Sequence, residues 1–226
     1  MYWRGLSRQI GDIMTVKLNW ATPDAENTIM YAARVSSKNQ NSTDTRLLDY
    51  CIKHGHWSIF EMANMCVEIQ TSRTIARQIL RHRTFTFQEF SGRYQSFTTL
   101  DGQSPLMTDP RIQDTANRQN SIPTDDEELR VWWDRAQVDV IHLSKSLYHE
   151  ALSKGIAKEL ARNLLPEGLT ESKMYMNGTL RSWIHYIDLR EGNGTQQEHR
   201  EVALEVKKIF TNEFPIIAKA KGWTSE

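Results

Sequence analysis

The chain has 226 residues, 39% hydrophobic and 25% charged, ordinary proportions for a globular protein whose length suits one large domain. Lysine plus arginine equals aspartate plus glutamate at 28 each, which excludes the broad positive field of a nonspecific nucleic-acid binder and leaves any anion site to a local concentration of arginine. Two cysteines, Cys51 and Cys66, exclude a disulfide framework and a four-thiolate zinc site, and they fit a reducing, cytoplasmic compartment.

The first segment, MYWRGLSRQIGDIM, is interrupted by Arg4, Arg8 and Asp12. It lacks the apolar core of a signal peptide, and no later stretch reaches the length of a membrane span. A strand is expected at Val16 to Trp20. Thr22 and Pro23 then read as the cap and first turn of a helix that turns Ile29, Met30 and Ala33 inward. A second helix, Asp44 to His54, buries Leu47, Leu48, Cys51 and Ile52 and stops at Gly55. In MCVEIQTSR, Met65, Val67 and Ile69 alternate with Cys66, Glu68 and Gln70, the period of a half-buried strand.

Ser72 is expected to cap a helix reaching Arg83. Its inward arc is Ile75, Ala76, Ile79 and Leu80, while Arg73, Arg77 and Arg81 stack four apart on another. TFQEFSGRYQSF reads as strand broken at Gly92. Residues 101 to 126 hold Pro105, Pro110 and Pro123 and read as a long polar insertion or a mobile lid. Thr124 and Glu127 form a capping box for a helix to Lys154, and a second helix runs from Ile156 to Leu165 before Pro166. A strand at Lys173 to Met176, a helix from Thr179 to Arg190, the turn EGNG and a helix from Thr195 to Asn212 complete one α+β, helix-rich domain spanning 1 to 226.

Chemistry concentrates in RHRTFTFQEFSGRYQ, where Arg81, His82, Arg83 and Arg93 surround Glu89 and Ser91. Guanidinium groups grip phosphate through paired planar hydrogen bonds, so several together suit a dianion. The plainer alternative is a solvated, arginine-rich helix end, because a helix C-terminus favours positive charge on its own account. Farther on, Arg181, His185 and Asp188 share one stripe of a helix whose Trp183, Ile184 and Ile187 face the core, with Arg190 at its end. Arg162 sits in ELARNLLP, whose Leu160, Ala161, Leu164 and Leu165 demand burial; an anionic ligand or an internal salt bridge to Glu159 or Glu198 would satisfy it. No histidine spacing matches a metal site, no Gly-rich phosphate loop occurs, and neither cysteine neighbours a group that would activate a thiolate.

R-H-R, seven residues, S, one residue, R resembles the signature of flavin-dependent thymidylate synthases. AARVS at 32 to 36, HWSIFE at 56 to 61, ELARNLLP at 159 to 166 and HYIDLR at 185 to 190 agree with that family in order. The resemblance implies a homotetramer with shared sites and a central, mainly antiparallel sheet. It implies dTMP synthesis from dUMP, with methylenetetrahydrofolate as carbon donor, FAD as redox carrier, NADPH as reductant, and neither nucleic acid nor membrane as partner. Ser58, Arg81, His82, Arg83, Glu89, Arg181 and His185 would contact FAD. Gln78, Arg81, Glu89, Ser91, Gly92, Arg93, Arg162 and Arg190 would cradle dUMP, with Arg190, Glu89 and Ser91 at the chemistry and His56 toward folate. No metal is implied. Two positions depart from the family: Thr179 stands where asparagine is common, with Asn177 displaced by two, and EGNG replaces a segment carrying a flavin-side histidine. The competing expectation is a noncatalytic nucleotide or nucleic-acid module using the same arginines.

Overall fold

The structure, a computed structural model, describes residues 14–97 and 106–223. The N-terminal segment judged unlike a signal peptide, residues 1–13, lies outside them, as do 101–105 of the polar insertion. Strands β1 (Thr15–Ala21), β2 (Asn64–Ser72), β6 (Glu171–Thr179) and β3 (Thr86–Glu89) pair in the order β1-β2-β6-β3. Helices α1 (Ala25–Ala33), α2 (Arg46–Lys53), α3 (Arg73–Ile79), α4 (Glu127–Ser153), α5 (Lys158–Ala161), α6 (Leu180–Arg190), α7 (Gln197–Glu213) and α8 (Pro215–Ala220) complete the α+β architecture with the hairpin β4 (Arg111–Gln113) and β5 (Ser121–Pro123). The described residues form two compact units: 14–15, 70–81, 89–97 and 106–174 in the first, 16–69, 82–88 and 175–223 in the second.

In the second unit the strand pairs run antiparallel. Thr22 N donates to Asn64 O at 2.9 Å while Asn19 lies against Cys66, so the numbers rise on β1 as they fall on β2. The Tyr175 hydroxyl donates to Glu68 at 2.8 Å and Leu180 N to Ala63 O at 3.0 Å, the same reversal for β6 against β2. Met65, Val67 and Ile69 are buried as the alternation predicts, but Cys66 is buried as well, because both faces of β2 are covered at that point. Trp183, Ile184 and Ile187 of α6 are wholly buried, joined by Val202, Val206 and Phe210 of α7. The indole N–H of Trp183 donates to Met65 O at 2.8 Å, satisfying the one polar atom that its burial would otherwise strand.

Several boundaries differ from the sequence reading, each for a local reason. Helix α1 starts at Ala25 because the Thr22 hydroxyl accepts from Asn64 N at the strand end, and Asp24 takes the cap position with φ 49°. Helix α3 does receive its cap from Ser72, whose hydroxyl accepts from Ile75 N at 3.3 Å, but it ends at Ile79, so the Arg-His-Arg triplet lies in the turn beyond it. Asp126 caps α4 by accepting from Leu129 N at 3.0 Å, in place of the expected Thr124 box. The polar insertion carries regular structure at 106–126. That segment folds as the β4/β5 hairpin, with Arg111 paired to Pro123, and its stem is pinned to α4: Trp133 Nε1 donates to Thr108 O at 2.7 Å, and the buried Gln137 bonds both N and O of Thr108.

The first unit buries apolar side chains of its own, Ile75, Ile79 and Ile141 among them. Phe97, Tyr148, Ala161 and Leu165 cluster there, and the Tyr148 hydroxyl accepts from Phe97 N at 3.3 Å. The expected helix 156–165 is one turn of α-helix followed by a 3-10 turn at Arg162–Leu164. So short an element buries one row. Ala161 and Leu165 take it, while Leu160 and Leu164 stay 58% and 43% exposed, against expectation.

One glycine ties packing directly to the Arg-His-Arg turn. A Cβ on Gly178 would stand 2.4 Å from the Phe85 ring, and that ring is wedged edge-on against Trp183 with centroids 4.6 Å apart. Phe85 therefore has no direction in which to yield. Gly178→Ala is expected to lower unfolding free energy by about 1–3 kcal/mol, the usual cost of overpacking; a denaturant midpoint matching the parent would contradict this account.

Candidate functional site

In the first unit, the candidate anion-binding residues gather around the turn that follows β3. Glu89, the last residue of that strand, is half-buried, and the hydroxyl of the buried Ser172 donates to its Oε1 at 2.5 Å. A bond of this length fixes the orientation of the carboxylate. Beyond it the Ser91 hydroxyl accepts from Arg93 N at 3.4 Å, and Gly92 is pressed so closely to Phe97 that an added Cβ would lie 2.3 Å from the ring. The turn thus directs Arg93 outward.

Arg93 borders a depression of about 470 Å³ lined also by Tyr94, Ala157, Lys158 and Glu159. Its Nε lies 3.5 Å from the Glu159 carboxylate, and Lys158 Nζ donates to Tyr94 O at 3.0 Å. Two cations therefore border one hollow, opposed by a single exposed carboxylate. Arg162 is half-buried, but its Nε donates to the backbone oxygen of Glu159 at 3.2 Å; among the described residues it has neither of the salt bridges anticipated from the sequence. Gln78, on α3, is half-buried, and Arg81 is exposed with no ion pair among the described residues.

The second unit carries His56, Ser58, His82, Arg83, Arg181, His185 and Arg190. Arg181 is paired with Glu61 of the 3-10 turn Trp57–Glu61. His185 stands edge-on to Trp57 at 4.8 Å, and partial burial, followed by the Arg181 guanidinium, holds its pKa below the usual imidazole value. His56 is exposed and lies 5.6 Å from the Tyr50 ring, which stacks on His54 at 4.0 Å. Ser58 and Arg83 are exposed. Arg190 reaches back to the Arg-His-Arg turn, its Nε donating to His82 Nε2 at 3.0 Å. Thr179 is occupied as the cap of α6, its hydroxyl accepting from Ser182 N at 3.2 Å.

Sequence reasoning missed Ser172, Tyr186 and His199. Ser172 belongs to the inward alternation Ser172, Met174, Met176, Gly178 of β6, which the period of two could have disclosed. His199 lies on the buried stripe of α7 with Val202, Val206 and Phe210, an unusual place for an imidazole and thus a readable signal. Among the described residues no group of three or more His, Cys, Asp or Glu side chains is arranged to hold a metal ion, and no helix is long and apolar enough to cross a membrane. Both cysteines are buried, and burial pushes the Cys51 thiol pKa up, away from the reactive thiolate.

Residues 17–216 match the family model described as thymidylate synthase complementing protein. A flavin-dependent thymidylate synthase of Synechocystis sp. is 52% identical over 199 residues, 88% of this chain and 90% of that one. A probable flavin-dependent thymidylate synthase of Paramecium bursaria Chlorella virus 1 is 53% identical over 202 residues, 88% of this chain and 91% of its own. Among solved structures, the UMP/dUMP methylase PolB from Streptomyces cacaoi bound with 5-Br dUMP superposes with a TM-score of 0.77 at 25% identity, covering 92% of this chain and 94% of that one.

Proposed function

The chain belongs to the flavin-dependent thymidylate synthase family, and on that premise we propose that it converts dUMP to dTMP, taking the carbon from methylenetetrahydrofolate and the reducing equivalents from NADPH through bound FAD. It is a methyltransferase. The observation that carries the finer reading is the state of the signature arginines: Arg81, Arg83 and Arg93 are all exposed, and the single ion pair they make among the described residues, Arg93 with Glu159, joins two groups 66% and 54% exposed. Such a pair is weak and easily exchanged for a phosphate.

The donor set fits the ligands. Several guanidiniums with the Ser58 hydroxyl match the oxygens of a diphosphate, and on this reading Arg81, His82, Arg83, Arg181 and His185 hold FAD. Arg93, with the Ser91 hydroxyl and backbone N–H groups at Gly92, holds the dUMP phosphate, assisted by Gln78, Arg81 and Arg162. Glu89, fixed by Ser172, offers an oriented acceptor to the nucleotide. Arg190 donates to a uracil carbonyl and stabilises the negative charge that gathers there, a role that requires a preset orientation. FAD would supply hydride chemistry when bound, so the pyrimidine would need no enzyme thiolate, in keeping with the burial of Cys51 and Cys66. His56 serves the folate side.

The same reading makes the chain one catalytic domain, since neither compact unit is a continuous stretch of sequence, and a cytoplasmic homotetramer. Trp132, Val140, Leu143 and Leu147 form an exposed apolar row along α4, which supports self-association. The deciding experiment is anaerobic incubation of the purified protein with FAD, NADPH, dUMP and methylenetetrahydrofolate, with dTMP measured beside a reaction lacking FAD. Flavin-dependent dTMP is expected; folded, flavin-bound protein yielding none would refute the proposal.

A further inference from the structure

We infer that Tyr186 and His199 are positioning residues for Arg190, forming with His82 a neutral floor that holds the guanidinium at its root and leaves its tips for the substrate. This rests on the proposed role of Arg190 at the uracil. Arginine can only donate, so the 3.0 Å bond from Arg190 Nε to His82 Nε2 makes that ring nitrogen an acceptor and places the His82 proton on Nδ1. His82 is therefore neutral while the bond stands. Its ring meets Tyr186 edge-on, with centroids 4.9 Å apart at 79°, and the Tyr186 hydroxyl lies 3.2 Å from His199 Nε2. His82 and His199 also stand edge to face at 6.1 Å. Three rings from the Arg-His-Arg turn, α6 and α7 thus pack into one cluster beside the arginine.

The charges around the ring cluster explain why a neutral floor matters. Asp188 and Glu191 flank Arg190 in sequence, yet Asp188 binds Lys221 at 2.7 Å and Glu191 binds Lys207 at 2.6 Å. Both lysines lie over the Trp223 ring, at 5.4 Å and 5.1 Å, which keeps them in place. Arg200 donates to the Glu191 backbone oxygen, so it too is committed elsewhere. Among the described residues the Arg190 guanidinium has no ion pair, and its terminal nitrogens make no hydrogen bond. A carboxylate beneath it would orient it equally well but would neutralise the charge meant for the substrate. Imidazole and phenol orient without neutralising. Burial supports this: Tyr186 and His199 are 1% and 0% exposed, and their pKa values are driven up and down respectively, each toward the neutral form. Both are buried, so they act on turnover through what they pack against, and His82, bonded to Arg190, is the neighbour that reaches the site.

The test compares FAD-loaded parent protein with Tyr186→Phe, His199→Leu, His199→Gln and the double variant Tyr186→Phe/His199→Leu, each verified as folded by circular dichroism and by bound flavin absorbance. Parent dTMP formation is measured first, and its absence would refute the proposed reaction itself. With an active parent, each of Tyr186→Phe and His199→Leu is expected to lower kcat about tenfold, the weight of one oriented hydrogen bond, with KM for dUMP little changed. His199→Gln, which can still bond the Tyr186 hydroxyl, should recover most of the loss, and the double variant should be no worse than either single one. Parent-like kcat in folded Tyr186→Phe would overturn the inference, as would losses that merely add. Should His199→Leu fail to fold, Tyr186→Phe, which removes one oxygen without changing the ring, decides alone.

Discussion

Arg93→Ala is expected to weaken dUMP binding by about thirtyfold or more, because a phosphate would lose a charged, bidentate partner worth on the order of 2 kcal/mol. Stability should hardly move. The Arg93 and Glu159 side chains are 66% and 54% exposed, and their 3.5 Å contact is the kind of surface pair that contributes little to folding. The substitution also leaves the Glu159 carboxylate without its ion-pair partner beside the same hollow, where it would repel the incoming phosphate. Arg93→Lys retains the charge but not the planar fork and should fall between parent and alanine variant. Titration calorimetry with dUMP checks the series; an alanine variant that binds dUMP as the parent does would remove Arg93 from the phosphate site.

The second large effect is acid destabilisation through His199. This imidazole is wholly buried on α7, and burial, followed by the charge of Arg190, holds its pKa down at about 3. The folded state keeps it neutral, whereas the unfolded chain takes up a proton near pH 6.5. The unfolded state therefore binds more protons throughout the interval from about 6.5 to about 3. Its contribution is intact above pH 6.5 and is lost progressively as pH falls through that window, at about 1.4 kcal/mol per unit, or about 2 kcal/mol by pH 5. Glu26 and Glu171, whose carboxyl pKa values are raised by burial, act in the opposite sense, since a raised carboxyl favours the folded state at low pH. Comparing parent with His199→Gln cancels those shared contributions. Denaturant unfolding between pH 7 and pH 5 should give a clearly shallower pH dependence for the variant; parallel curves would show that His199 is not held neutral.

Several features were legible because they are local. The alternation of Met65, Val67 and Ile69 reports the inward face of a strand, the inward arc of Trp183, Ile184 and Ile187 reports a packed helix, and Ser72 reports a helix start; each depends on a backbone period or on one neighbouring N–H. Helix α8 escaped notice because six residues hold too little periodicity, and its first turn is satisfied from far away by Glu26, whose carboxylate accepts from Ile217 N at 2.7 Å. The length of α3 was overestimated for a related reason. Its arginine spacing continues past Ile79, but residues beyond the helix end are drawn into the turn that seats Phe85 against Trp183.

The candidate site divides in the same way. Its residue types and their order, from His56 through Arg81, His82, Arg83, Ser91 and Arg93 to Arg190, stand in the sequence, because covalent spacing is itself the family signature. Which partner each one meets was decided only by tertiary structure. Glu89 is held by Ser172, Arg190 by His82, Arg93 by Glu159 and Arg181 by Glu61. Each pair is separated by tens of residues, and no local period encodes such a meeting: it exists because β3 pairs with β6, or because burial of apolar faces carries polar side chains together. The same long-range packing buried His199 and Tyr186 under Arg190, turning two otherwise ordinary residues of α7 and α6 into an uncharged support for a charged one.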